Sequence, residues 1–199
     1  MASGDGFFGG DCLDTIHAET QAISELRQLI GWLRENEAPA VGVYGLSLGG
    51  YTGAVLAGFE ADLACVIAGI PASDFCRLAQ IHTPARILKA AEVLGFDWDK
   101  VSQIFRVVSP LALRPLVPKD RRFIFAGVED RIVPKKQARD LWNHWDRPKT
   151  IWYRGSHLSF YFEPEVRDWL RPILRASVCA HVRKPALSLV QTEPTRQAA

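Results

Sequence analysis

From Asp14 to Glu35 the apolar residues Ile16, Ile23, Leu26, Ile30 and Leu33 recur at spacings of three, four and seven, the period of one buried helix face. The spacing predicts a long amphipathic helix. Asn36-Glu37-Ala38-Pro39 then breaks the pattern, and Ala40-Val41-Gly42-Val43-Tyr44 is a short apolar run of the kind that forms a strand buried on both faces. After Gly45-Leu46-Ser47-Leu48-Gly49-Gly50, the small residues from Tyr51 to Gly58 suit a helix packed closely on a sheet, and a second apolar run follows from Leu63 to Ile70.

A third strand is predicted at Arg122–Ala126 and a fourth at Thr150–Tyr153, with a helix from Lys135 to Trp145 between them. Strands alternating with helices define an α/β class, and right-handed crossovers make the four strands parallel neighbours in a three-layer α/β/α arrangement. Between Pro71 and Asp120 helical patterning recurs at Ala85–Val93 and Asp99–Val107, broken by Pro84, Pro110, Pro115 and Pro118. Two readings stand for 71–120: helices that cover a site beyond the strand ends, or plain connections on the outer face of the sheet. A last helix is predicted from Pro164 to Ala176, with Pro172 bending it. One domain over 1–178 is expected. The tail 179–199 has no clear period and is expected to be mobile.

Composition narrows the class without changing this outline. With 199 residues, 48% hydrophobic and 23% charged, the chain has the balance of a soluble globular domain. A formal net charge of +2, spread along the chain, argues against nucleic acid or an anionic membrane as the main partner and favours a small neutral molecule. The first twenty residues lack the basic start and apolar core of a secretory signal, and no later run is apolar enough for a membrane span. A cytoplasmic location is expected, and Cys12, Cys65, Cys76 and Cys179, with no C-x-x-C pair among them, read as reduced thiols.

Gly45-Leu46-Ser47-Leu48-Gly49 has the form G-x-S-x-G and lies between an apolar strand and a small-residue helix, the context in which that motif presents a serine on a strained turn. Ser47 is thereby placed at a helix N-terminus, where the backbone N–H of Leu48 can bind an oxyanion. The bland alternative is a glycine-rich turn whose serine caps the helix.

A serine hydroxyl is a poor nucleophile near neutral pH, so it needs a base, and the base needs an orienting carboxylate. The loop after the third strand, Ala126-Gly127-Val128-Glu129-Asp130-Arg131-Ile132-Val133-Pro134, offers Asp130, with Glu129 as its competitor and helix capping as the alternative role. The loop after the fourth strand, Tyr153-Arg154-Gly155-Ser156-His157, offers His157. Each residue stands after a strand, in the order Ser, Asp, His.

Together GLSLGG, AGVEDRIVP and YRGSH resemble the α/β-hydrolase superfamily, in particular serine hydrolases with GxSxGG elbows such as dienelactone-hydrolase-like and prolyl-oligopeptidase-like members. The resemblance covers roughly Asp14 to Ala176. It implies Ser47 as nucleophile, Asp130 as orienting acid, His157 as general base and Leu48 as one oxyanion donor. It implies cleavage of a carboxylic ester or related acyl bond through an acyl-Ser47 intermediate, with no cofactor. Acyl transfer and thioester or peptide cleavage use the same residues. A non-catalytic interaction module is the reading from another class.

The chain departs from that family at its start. Such hydrolases have several strands before the nucleophile strand, one of whose loops gives a second oxyanion donor, and residues 1–13 are too few to supply them. Gly9-Gly10 follow no recognisable strand and are not read as that loop. Ala40–Tyr44 is therefore expected at a sheet edge with unpaired backbone groups, either in an N-terminally shortened version of a longer protein or paired with a second copy or another chain.

Other motifs are set aside. His17-Ala18-Glu19 has the H-x-E form of zinc deaminases without a P-C-x-x-C partner, and is read as helix surface. Cys12, His82 and His144 are too dispersed for a metal site, and the glycine loop lacks the spacing of a phosphate or dinucleotide cradle. Trp142, Trp145, Trp152, Phe160, Tyr161 and Phe162 are read mainly as core, with some available to line an apolar pocket.

Overall fold

Four short strands, β1 (Val43–Leu46), β2 (Val66–Gly69), β3 (Arg122–Gly127) and β4 (Lys149–Tyr153), pair in parallel in chain order. The register runs Val43 to Val66, Val66 to Arg122, and Phe123 to Lys149. The structure, a computed structural model, describes residues 12–179. The expectation of a mobile tail, and the Gly9-Gly10 segment, lie outside those residues.

Side chains alternate across the sheet, and the alternation assigns the layers. Val66, Ala68, Ile124 and Ala126 face a cluster with Ile23 and Ile30 of α1 (Cys12–Glu35), Tyr51, Val55 and Leu56 of α2 (Leu48–Leu56), and Leu141 of α6 (Lys135–His144) with Trp145 after it. Ile67, Phe123, Phe125 and Tyr153 face the opposite way, toward Val166 and Ile173 of α7 (Pro164–Leu174). The result is the expected three-layer α/β/α sandwich. Leu141 is fully buried at the first seam, where truncation to alanine costs about 2–5 kcal/mol.

The predicted helices at 14–35, 85–93, 99–107, 135–145 and 164–176 are present as α1, α4 (Ala85–Val93), α5 (Trp98–Phe105), α6 and α7. α7 passes into a π-type turn at Arg175–Cys179 after Pro172, whose ring removes one N–H from the ladder. A helix not foreseen is α3 (Phe75–His82), started by Asp74, whose side chain accepts from the Arg77 N–H. Phe75 stacks on Tyr51 at 3.8 Å and meets Phe105 edge-on, which ties α3 and α5 to α2, whereas α4 buries no residue.

Two expectations need correction. The first strand is Val43–Leu46, later than Ala40–Tyr44, and it is not buried on both faces: Tyr44 is 46% exposed. β1 ends the strand order, so among the described residues only β2 flanks it. The two segments first join where Ala64 N–H reaches the Val41 carbonyl, the strand pairing runs from Val43, and β2 is clipped to four residues because Ile70 leaves the strand at φ 43°. Second, Glu19 is not helix surface. It lies three residues after Ile16 and four before Ile23, on the apolar face, and is fully buried. Of the six aromatics read mainly as core, Trp145 and Phe160 are buried, Trp142 and Trp152 pack partly buried against the core, and Tyr161 and Phe162 are exposed.

Cys65 and Cys76 are buried, unpaired thiols, and Cys12 is unpaired and partly buried. No helix among the described residues is long and apolar enough to cross a membrane.

Candidate active site

The turn from β1 into α2 is held by backbone contacts that leave no room for a side chain at Gly45. A Cβ on Gly45 would run into the Gly49 carbonyl, so only glycine permits so tight a reversal. Ser47 sits at its apex with φ 54° and ψ −111°, outside the regions that a side chain favours. Two bonds fix this strained residue: its N–H donates to the Gly69 carbonyl at 2.9 Å, and its carbonyl accepts from Tyr51 N–H at 3.0 Å. Its side chain makes no capping bond to α2. The cap-only alternative thus lacks its hydrogen bond. The first-turn N–H of Leu48 has no intrahelical acceptor and stands beside Ser47 where the helix dipole favours negative charge.

The loops after β3 and β4 are zipped together. Val128 N–H donates to the Tyr153 carbonyl at 3.0 Å and Glu129 N–H to the Gly155 carbonyl at 3.1 Å, while Gly127 lies flush against Gly155. Tyr153 Oη then donates to the Ser156 carbonyl at 2.8 Å, turning the chain toward His157. Burial, with Asp130 nearby, raises the Tyr153 phenol well above its ordinary pKa and keeps it a donor.

This stacking brings His157 Nδ1 to 2.6 Å from Asp130 Oδ2, and both residues are buried. The other oxygen, Asp130 Oδ1, accepts from the N–H groups of Ile132 and Val133, each at 2.9 Å. The carboxylate is thus fixed at both ends. It is Asp130, not the exposed Glu129, that meets the imidazole. In a neutral imidazole, donation from Nδ1 to the carboxylate leaves Nε2 with the lone pair. An open cavity of about 690 Å³ flanks the pair, lined by Glu129, Arg131, Ile132 and Leu158 among others.

Ser47 does not line that cavity, and no hydrogen bond joins its hydroxyl to His157. In the sheet, β1 and β4 are three strand spacings apart, roughly 14 Å, so the loop after β4 must cross that interval to reach Ser47. The segment after His157 runs back across that interval. Phe160 packs on Phe125 of β3 at 5.4 Å, and Phe160 and Tyr161 share a groove with Tyr44 of β1.

Sequence reasoning passed over one polar group close to the elbow. Thr52 Oγ1, one turn beyond Leu48 on α2, lies within hydrogen-bond distance of the buried Glu19 Oε2, at 3.0 Å. Desolvation raises the Glu19 carboxyl to about 7, the Thr52 bond opposing it. The signal was available, since Glu19 falls on the stripe marked by Ile16 and Ile23.

Solved structures with this arrangement of strands and helices are α/β hydrolases. The α/β hydrolase GrgF from Penicillium sp. sh18 superposes with a TM-score of 0.58 at 17% identity, over 81% of this chain and 73% of that one. An esterase from Pyrococcus furiosus gives 0.57 at 14% identity over 78% and 62%, and an acylaminoacyl peptidase from Pyrococcus horikoshii gives 0.56 at 16% over 77% and 26%. The chain has the α/β-hydrolase fold.

In sequence, two curated relatives from strains of Mycobacterium tuberculosis, both uncharacterized proteins, are 38% identical over 186 residues. That is 89% of this chain but 43% of theirs, so the chain spans less than half the length of the curated relatives it matches. No family model matches the sequence.

Proposed function

We propose that the chain carries a serine hydrolase site acting on a carboxylic ester or related acyl bond, with Ser47 as nucleophile, His157 as base and Asp130 as orienting acid. The observation that carries this reading is the 2.6 Å bond between Asp130 and His157, delivered from loops at the same sheet rim as the strained Ser47. His157 Nε2 takes the Ser47 Oγ proton as Oγ bonds to the acyl carbon. The carbonyl oxygen becomes an oxyanion facing the Leu48 N–H. Collapse expels the leaving group, which receives the proton from His157. The imidazole then deprotonates a water that releases the acyl group from Ser47. Asp130 holds the Nδ1–H tautomer throughout.

The test is reaction with a fluorophosphonate probe and turnover of a short-chain aryl ester. Ser47→Ala removes both; turnover unchanged in Ser47→Ala overturns the assignment. A non-catalytic module is favoured by the missing Ser47–His157 hydrogen bond, and an intact chain whose Ser47 never labels would establish it. The outer edge of β1, unpaired among the described residues, fits a second copy as partner, and unpaired Cys65 and Cys76 accord with a reducing, cytoplasmic setting.

A further inference from the structure

We propose that Glu19 is a positioning residue for the nucleophile elbow, acting through Thr52 on the carbonyl of Leu48. The proposal relies on the nucleophile reading only for its effect on Ser47. Thr52 Oγ1 lies 3.0 Å from Glu19 Oε2 and 3.1 Å from the Leu48 carbonyl. A hydroxyl has one proton, and a peptide carbonyl can only accept. With Glu19 ionised, carboxylate and carbonyl compete for that proton, and the charge wins. With Glu19 neutral, its own O–H donates to Thr52 Oγ1, and the Thr52 proton is released to the Leu48 carbonyl. The neutral acid therefore orders a chain, Glu19 to Thr52 to Leu48, that braces the first turn of α2, the turn entered through Ser47.

The surroundings hold Glu19 in the neutral form. The side chain is fully buried, its Oε1 has no partner, and no cation pairs with it among the described residues. An unpaired charge there would cost several kcal/mol. Tyr51 on α2 is the titratable group beside it. Asp74 before α3 and Arg106 after α5 line a cavity with Tyr51, and neither bonds to Glu19. Burial sets the carboxyl near neutrality, at about 7, so a modest rise in pH reverses the order of the chain.

The test compares the intact chain with Glu19→Gln, which stays neutral and can still donate, and with Thr52→Val, which keeps the shape and removes the relay. Two readouts are taken at about pH 6 and about pH 8.5: the rate of fluorophosphonate labelling, and amide hydrogen exchange in peptides spanning 45–56, each referred to Glu19→Gln at the same pH. At the lower pH the intact chain and Glu19→Gln agree. At the higher pH the intact chain exchanges about tenfold faster in the first turn of α2 and labels more slowly, while Thr52→Val shows the looser turn at both. Equal behaviour of the intact chain and Glu19→Gln at both pH values, or an unaltered turn in Thr52→Val, overturns the proposal. If Ser47 labels in no variant, the nucleophile reading fails, and the exchange data still decide the role of Glu19.

Discussion

Asp130 Oδ2 stands 2.6 Å from His157 Nδ1, while Asp130 Oδ1 is held by two backbone N–H groups of its own loop. Replacing Asp130 by asparagine leaves the loop-facing oxygen able to accept but presents an amide that favours the wrong imidazole tautomer. Labelling and ester turnover are expected to fall by about 10³- to 10⁴-fold, with the far-ultraviolet circular dichroism unchanged. Glu129→Gln, altering an exposed side chain beside it, is expected to leave both rates within about twofold.

The two glycines of the elbow motif differ in what surrounds them. A methyl group on Gly45 collides with backbone at Gly49, whereas one on Gly49 meets nothing within 4 Å. Gly45→Ala should lose about 3 kcal/mol or more of stability or fail to fold. Gly49→Ala should be neutral or gain up to about 1 kcal/mol from helix propensity. Urea unfolding of the pair checks the contrast.

Stability should decline with rising pH in the weakly acidic range because of Glu19. Burial lifts its carboxyl from 4.5 to about 7. Between those values the folded chain keeps a proton that the unfolded chain has released, so stability is greatest below about 4.5, drops through the interval and levels off above about 7. The loss amounts to about 3 kcal/mol. Glu19→Gln should flatten this dependence, as measured by unfolding at pH values on either side.

Self-association is expected through β1. Val43 and Ser47 turn their N–H groups toward β2, so by alternation Tyr44 and Leu46 present theirs to the open side. Tyr44→Pro removes one outward donor without touching the ladder to β2. Light scattering at micromolar concentration should show a dimer for the intact chain and a monomer for this variant; a monomer for both ends the idea.

Much of the architecture was legible because periodicity reports burial. The stripe from Ile16 to Leu33 marked α1, and four apolar runs marked the strands in their parallel order. The extent of β1 was not legible, since an apolar run is the same whether both flanks are paired or one, and exposure of Tyr44 depends on that neighbour. Glu19 carries two signals in the sequence, an H-x-E pattern and a place on the helical stripe, and its burial follows the second. α3 was missed although Asp74 supplies a capping side chain; its apolar anchors, Phe75 and Cys76, occupy too short a span to show a period. At the site, residue order suggested which loops converge. No pattern in the chain could disclose that Ser47 and His157 share no hydrogen bond, which depends on how far the segment from Gly155 to Phe162 folds back.

The backbone zipper between Gly127–Glu129 and Tyr153–Gly155 has a mechanical consequence. With two cross-loop bonds and the Asp130–His157 bond beyond them, carboxylate and imidazole travel as one body. The serine rides on another, a strand that among the described residues is flanked only by β2. On the proposed mechanism, reactivity hinges on one coordinate, the approach of these two bodies.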